Sequence, residues 1–145
     1  MREAVLRFLP RADAAGVDLG ANDAEKATLV LGNGALIEGI LNNLLDNALR
    51  YGRAQTEPSR ITVSLKEHLQ SVVLSVYDNG PGVSSVQLQK LSKRWAQGAA
   101  GEALKEGSGL GLAIVKSYAS LMEAKLHLGN ETPHGLCVSV TFAKP

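Results

Sequence analysis

The sequence has 145 residues, of which 45% are hydrophobic and 20% are charged, and 15 basic residues nearly balance 14 acidic ones. This is the composition of one ordinary globular domain, and the near-neutral charge argues against a nucleic-acid-binding surface. The lone cysteine, Cys137, excludes an internal disulfide and favours a reducing compartment. No apolar run reaches the roughly 20 residues that a membrane-spanning helix requires, and the N-terminus lacks the pattern of a signal peptide.

The hydrophobic spacing predicts helices and strands in alternation along the chain. Helical spacing predicts four helices, the first ending near Pro10 or shortly after it: 2–9, 35–51, about 84–93 and about 110–122. Period-2 alternation predicts short strands, the clearest after the first helix being 27–31, and then four more: 61–66, 72–77, 126–128 and 136–142. A stretch without apolar period, rich in Gly, Ala and charged residues, lies at 96–106.

The alternation within the strands predicts the fold class. Each strand has one apolar and one more polar face, as in a sheet that helices cover on one side only. A doubly wound parallel sheet would have uniformly apolar strands instead. The order of elements therefore predicts an α+β fold, a two-layer α/β sandwich, spanning residues 1–145 as one domain.

The helix that ends at Tyr51 has a polar stripe beside its apolar one. Asn43 and Asn47 are four residues apart, so both amides lie on one face, with Tyr51 one turn further on. An amide oxygen is a suitable ligand for a Mg²⁺ ion that also binds substrate phosphates. An amphipathic helix whose Asn side chains merely face solvent explains this segment, taken alone, equally well.

The turn Asp78-Asn79-Gly80-Pro81-Gly82 follows the second strand of the first predicted pair. Asp78 continues the parity of the apolar positions in 72–76, so its carboxylate is predicted to point to the buried side. A buried carboxylate requires hydrogen-bond donors, and the exocyclic amine of a purine would be one. Taken alone, however, the segment is explained better as an ordinary Asp-Asn-Gly turn.

A second glycine-rich segment, Gly107-Ser108-Gly109-Leu110-Gly111-Leu112, opens the last predicted helix. Glycines permit a close approach of the backbone to phosphate oxygens, and the N–H groups at a helix start favour anions. The spacing is not that of a dinucleotide fingerprint, and no strand precedes it directly. The segment gains weight because it stands in order with the two motifs above.

In this order, the motifs resemble the nucleotide-binding boxes of bacterial sensor histidine kinases, a branch of the superfamily that includes gyrase, Hsp90 and the mismatch-repair ATPases. The likeness covers nearly the whole chain. Residues 43–51 resemble the N box, 78–82 the first glycine box, 107–112 the second, 90–95 a degraded F box, and 134–136 the last glycine box. Ser92 stands where the F box usually has Phe, and Leu136 stands where Thr is frequent.

The resemblance implies a Bergerat-type ATP-binding fold with a mixed, mostly antiparallel sheet, and ATP and Mg²⁺ as cofactors. It implies that Asn47 holds Mg²⁺, that Asn43 lines the phosphate site, and that Arg50 reaches the phosphates. Asp78 would accept a hydrogen bond from the adenine amine, and Tyr51 would pack on the adenine ring. The implied nucleotide-binding backbone is that of the two glycine boxes: Gly80, Gly82, Gly107, Ser108, Gly109, Leu110, Gly111 and Leu112. Residues 96–106 would be a mobile lid.

The identity of residue 43 favours a kinase over a hydrolase. ATPases of the superfamily have a Glu four residues before the Mg²⁺-binding Asn, where it activates water, whereas this chain has Asn43. His68, His127 and His134 are each followed by a non-acidic residue, unlike the phosphoacceptor of sensor kinases. We therefore expect a fragment of a longer kinase that binds ATP but does not phosphorylate itself.

The remaining expectations concern partners and location. The resemblance implies transfer of the γ-phosphate to a His on a separate dimerisation domain, with a response regulator as an indirect partner. We expect a monomeric cytoplasmic domain that contacts neither nucleic acid nor membrane, in a parent that is an inner-membrane sensor. Two alternatives stay open: an interaction module of the same fold that no longer uses ATP, and a serine kinase of the anti-sigma-factor type.

Overall fold

A computed structural model of the chain describes residues 2–22, 30–54, 57–82, 84, 86, 110–130 and 134–145. The described elements follow in chain order: α1 (Arg2–Ala14), β1 (Val17–Asn22), α2 (Gly34–Tyr51), β2 (Ser59–Glu67), β3 (Ser71–Asp78), α3 (Leu110–Leu121), β4 (Lys125–Asn130) and β5 (Leu136–Ala143). The predictions for 27–31, 84–93 and 96–106 fall wholly or mostly outside these residues.

The strands form one mixed sheet in the order β1-β2-β3-β5-β4. β1 runs parallel to β2, and the other three neighbouring pairs are antiparallel. The parallel pair is the consequence of α2, which crosses over between β1 and β2. The topology places the C-terminal end of β3 beside the start of β5, with Tyr77 paired to Cys137.

One face of the sheet is buried against the helices and the other is polar. The core is formed by apolar residues of α1, α2 and α3 together with alternate strand residues, and its most deeply buried large side chains are Ile40, Leu44, Leu45, Ile61, Val63, Val72, Val115 and Val140. On the opposite face, Ser75 and Ser139 share a hydrogen bond of 2.9 Å between their hydroxyls. This arrangement confirms the predicted two-layer α/β sandwich with helices on one face.

The first helix continues beyond Pro10, whereas the sequence predicts that it ends near Pro10 or shortly after it. Pro10 removes one intrahelical hydrogen bond, but α1 nevertheless reaches Ala14. Two contacts compensate for the loss. Ala12 is fully buried in the core, and Arg11 forms an ion pair of 2.7 Å with Asp46 on α2.

Contacts with α3 and α1 hold α2 in place. Gly39 of α2 lies against the ring of Tyr118 of α3, and a β-carbon at this glycine would lie 2.7 Å from the ring. On its other side, α2 is joined to α1 through Arg7, which forms an ion pair of 2.6 Å with Glu38. None of the helices in the described ranges is both long and apolar enough to cross a bilayer.

The N-terminus of α2 has a local signal that fixes where the helix begins. Asn33 is the N-cap, and its side-chain oxygen accepts hydrogen bonds from the amides of Ala35 at 2.9 Å and Leu36 at 3.2 Å. Replacing Asn33 with Ala should lower the free energy of unfolding by about 1 kcal/mol, because two helix amides lose their acceptor. Urea denaturation measures this. Asn33→Ser keeps an acceptor and should recover most of the loss; equal losses in both variants would contradict the capping role.

Candidate functional site

A cleft opens between α2 and the ends of β3 and β5. It encloses about 450 Å³ of space, including its open mouth. Among the described residues its walls are mainly apolar, with two polar side chains: Leu44, Asn47, Ala48, Gly52, Val76, Asp78, Gly82, Leu136 and Val138. An apolar cleft with one carboxylate and one amide suits a flat, largely apolar ring that carries a hydrogen-bond donor.

Asp78 is held at the inner end of this cleft by backbone amides. Its Oδ1 accepts from the amide of Gly80 at 3.0 Å and from the amide of Leu136 at 3.2 Å. No residue in the described part of the chain donates to Oδ2. Burial raises the pKa of Asp78, although both amide hydrogen bonds act in the opposite direction. One oxygen is therefore fixed by two backbone amides, and the other has no donor within the described residues.

Three glycines permit the backbone to close around this carboxylate. A β-carbon at Gly52 would lie 2.5 Å from Oδ2 of Asp78, and a β-carbon at Gly135 would lie 2.0 Å from the backbone carbonyl oxygen of Asp78. A β-carbon at Gly80 would lie 2.5 Å from the carbonyl carbon of Gly52. The end of α2, the turn after β3 and the start of β5 can therefore meet only because all three positions lack a side chain.

The side chains of Asn79 and His134 form further contacts that hold the turn after β3. The side chain of Asn79 accepts from the amide of Arg60 at 2.7 Å and donates to the carbonyl of Pro58 at 2.9 Å. His134 lies with Nδ1 3.1 Å from the carbonyl oxygen of Gly80 and with Nε2 2.7 Å from Oε1 of Glu57. Both side chains tie the turn after β3 to the segment that leads into β2.

The polar residues predicted on α2 take different positions. Asn47 lines the cleft. Asn43 lies one turn earlier on the same face, half-buried, and its amide donates to the carbonyl of Gly39 at 2.7 Å. Arg50 does not line the described cleft: its guanidinium lies 3.0 Å from Asp46, four residues earlier, on the side of α2 that faces α1. Attraction between these i and i+4 charges accounts for that orientation.

Several predicted site residues lie partly or wholly outside the described structure. Gly107, Ser108 and Gly109 are outside it, as are the F-box segment 90–95 and the segment 96–106. The backbone of Leu110 and Gly111 opens α3, and Leu112 is buried in the core. Tyr51 ends α2, and its side chain is not described. Gly80 and Gly82 lie in the turn, and Gly82, with φ of +75°, also lines the cleft.

The parts played by Gly52 and Asn79 are not evident from the sequence. Gly52 is the C-cap of α2, and it also makes room for the Asp78 carboxylate. Asn79 was read only as a turn residue. The glycines themselves are the available signal, but spacing alone does not show that Gly52 and Gly135 approach the same residue from two distant segments.

The described residues contain no cluster of three or more His, Cys, Asp or Glu side chains that could hold a metal ion. A metal in this cleft would therefore have few protein ligands. Asn47 is the amide oxygen donor that lines it. This ligand set fits a cation that keeps most of its waters or shares oxygens with a bound substrate, and does not fit a cation enclosed by carboxylates.

Comparison with known proteins agrees with this fold. Residues 32–145 match the family described as histidine kinase-, DNA gyrase B- and HSP90-like ATPase. The chain therefore belongs to this family, which confirms the resemblance drawn from its motifs.

Its relatives place it in the histidine-kinase branch. The sensor protein KdpD of Escherichia coli is 34% identical over 120 residues, which are 81% of this chain and 13% of that protein. The sensor protein kinase PmrB of Pseudomonas aeruginosa is 33% identical over 129 residues, which are 89% of this chain and 26% of that protein. The chain thus matches only the ATPase-type part of much longer sensor kinases.

Solved structures show the same fold over almost the whole chain. The catalytic domain of histidine kinase ThkA superposes with a TM-score of 0.76 at 20% identity and covers 99% of this chain and 88% of that one. Full-length ShkA in complex with AMPPNP superposes with a TM-score of 0.77 at 25% identity and covers 99% of this chain and 29% of that one. The predicted fold class is confirmed.

Proposed function

We propose that this chain, as one ATP-binding domain spanning residues 1–145, binds Mg·ATP in the cleft at Asp78. It presents the γ-phosphate to a histidine on a separate dimerisation domain of a sensor kinase. The observation that carries the proposal is the state of Asp78, which lines the apolar cleft: two backbone amides fix one of its oxygens, and no described residue donates to the other. An adenine amine is the kind of donor that this oxygen would accept.

The chemistry of the cleft supports adenine over other rings. Leu44, Ala48 and Val138 offer apolar surface to a flat ring. Asp78 is an acceptor when ionised and favours a base with an exocyclic amine. A guanine ring would present a carbonyl oxygen in place of that amine and would set two acceptors against each other.

The polar side of the cleft fits the phosphate end. Asn47 would hold Mg²⁺ through its amide oxygen, and Asn43, one turn away on the same face, would line the triphosphate. Mg²⁺ bound there would neutralise charge that develops on the phosphate oxygens. α3 packs beside α2, and the backbone amides of the Gly107–Leu112 segment would cradle the same phosphates.

The proposed reaction needs positioning more than acid–base chemistry. With Asn at position 43, no carboxylate stands where the ATPases of this superfamily activate water, so the γ-phosphate is kept for an imidazole that attacks in line. ShkA was solved with AMPPNP, which supports nucleotide binding by this fold. The longer relatives are sensor proteins, which supports a phosphoacceptor domain and a membrane-sensor parent with this domain in the cytoplasm.

Calorimetric titration with AMPPNP, with and without Mg²⁺, tests nucleotide binding directly. Phosphotransfer is tested by adding radiolabelled ATP and a separately prepared histidine-kinase dimerisation domain. We expect an acid-labile, base-stable phosphohistidine on that domain and no label on this chain alone. An acid-stable phosphoserine product would support the serine-kinase alternative, and a folded chain that does not bind AMPPNP would support the interaction module.

Asn47→Ala should lower the affinity for AMPPNP about tenfold or more in Mg²⁺ and change it little in EDTA, because the lost group acts through the metal. The matched control is Asn42→Ala, on the same helix but outside the cleft, where Asn42 accepts from Arg7 at 2.9 Å. Equal losses with and without Mg²⁺ would assign Asn47 to direct nucleotide binding and contradict its role as a metal ligand.

A further inference from the structure

His134 is the residue around the cleft whose contacts the proposed function leaves unused. Its Nδ1 lies 3.1 Å from the carbonyl oxygen of Gly80, and its Nε2 lies 2.7 Å from Oε1 of Glu57. Both partners are acceptors. A neutral imidazole has one N–H and can satisfy only one of them, whereas the imidazolium cation donates to both. The observed geometry therefore fits the protonated ring.

His134 is linked to the carboxylate that defines the site in two ways. Gly80 donates its amide to Asp78, and its carbonyl is the group that His134 contacts. The chain also continues from His134 through Gly135 to Leu136, whose amide binds the same carboxylate oxygen. A bridge from Glu57 through His134 to Gly80 thus ties the segment before β2 to two of the segments that meet around Asp78.

We propose that His134 is a positioning residue whose protonated form bridges Glu57 and Gly80, holds the turn around Asp78 in its binding geometry, and strengthens nucleotide binding as the pH falls. The inference rests on the proposed function, since the ligand is the adenine nucleotide of that cleft. Histidine changes its charge within the pH range of living cells. Loss of the proton leaves one of the two acceptors facing a lone pair, which loosens the turn.

Two acidic groups of the described structure are linked to His134. Glu57, on the segment before β2, is in direct contact. Asp78, at the end of β3, is reached through the backbone of residues 80 and 136. His134 and Glu57 have relative side-chain exposures of 38% and 41%, so solvent screens the pair and the expected effect is moderate.

The test compares AMPPNP affinity of wild type and His134→Gln at pH 6.0 and pH 8.0. The nucleotide phosphates and Asp78 titrate in both proteins, so their contribution cancels in the ratio of the two dissociation constants. We expect the dissociation constant of His134→Gln to exceed that of the wild type about 3- to 10-fold at pH 6.0, because a charge-assisted hydrogen bond is lost. The ratio of the two constants should approach 1 at pH 8.0. Glu57→Gln should reproduce the pH-dependent part of the loss.

Matched controls and a second measurement separate a positioning role from a merely structural one. His68→Gln and His127→Gln change exposed histidines away from the cleft, and their ratios should stay near 1 at both pH values. NMR of ¹⁵N-labelled imidazoles in the wild type should show that AMPPNP raises the pH midpoint of one histidine, because coupling between two equilibria is reciprocal. The signal of that histidine should be absent from the spectrum of His134→Gln.

The outcomes distinguish this inference from the function on which it rests. A ratio that is the same at both pH values, with normal AMPPNP binding, or an imidazole midpoint that nucleotide does not move, overturns the role of His134 alone. Absence of AMPPNP binding in the folded wild type at either pH overturns the proposed function and this inference with it.

Discussion

Replacing Asp78 with Asn should reduce AMPPNP binding by about 100-fold or more and should leave the protein without nucleotide at least as stable as the wild type at neutral pH. The Asn oxygen can still accept from the amides of Gly80 and Leu136, which bind Oδ1 in the wild type. Its NH₂ group then replaces Oδ2, to which no described residue donates. The Asn NH₂ group and the adenine amine would then both be donors and could not form a hydrogen bond. Burying two mismatched polar groups costs far more free energy than losing an exposed hydrogen bond.

The stability part of this expectation follows from the pKa of Asp78, which burial raises above its ordinary value. The stabilisation of the folded protein by the protonated carboxyl is fully present below the pKa of the unfolded chain. It is lost as the pH rises through the higher pKa of the folded chain. Above that pKa the wild type has a partly desolvated charge that the Asn variant lacks. The variant should therefore gain stability relative to wild type as the pH is raised from acid to neutral.

Urea denaturation of both proteins at several pH values, together with calorimetry at neutral pH, measures the two effects. Asp18→Asn is the matched control, since Asp18 is an exposed carboxylate on β1 outside the cleft; it should change neither quantity appreciably. Wild-type affinity in Asp78→Asn would remove the central support of the proposed function. A variant that becomes less stable than wild type as the pH rises would show that the amides outweigh burial.

The sequence predicts most of this fold because its elements have strong periodic signals. α2 and α3 were predicted within a residue of their observed bounds, and β2 to β5 differ by at most two residues at either end. β1 was not predicted at 17–22, although Val17 and Leu19 alternate with polar residues. Six residues with one glycine give a weak signal, and the parallel pairing with β2 that stabilises β1 is a long-range contact.

The part of the site that depends on Asp78 can be predicted from the sequence. The parity of β3 predicts Asp78 on the buried side, and Asp78 lines the cleft in the structure. The orientation of Arg50 was not predictable from the box alone. Its position near the end of α2 is compatible with the phosphates, but Asp46 and the neighbouring α1 attract it elsewhere. Its proposed contact with the phosphates would require this ion pair to open.

Replacing Gly135 with Ala should be the most damaging of the conservative changes around the cleft. A β-carbon there would lie 2.0 Å from the carbonyl oxygen of Asp78, and φ is +122°. The obstacle is backbone, which cannot rotate aside as a side chain can. We expect a loss of about 3 kcal/mol or more in the free energy of unfolding, together with loss of AMPPNP binding, because Leu136 would be displaced from Asp78.

Two other glycines separate the clash from ordinary backbone strain. Gly16 has φ of +71° but open space around its missing β-carbon, so Gly16→Ala should cost only about 1–2 kcal/mol and leave AMPPNP affinity unchanged. Gly20 has neither a positive φ nor a close neighbour, and Gly20→Ala should be neutral or slightly stabilising. If Gly135→Ala lost no more stability than Gly16→Ala and kept its affinity, β5 could shift away from Asp78. The close approach of these two segments would then not be what fixes the carboxylate.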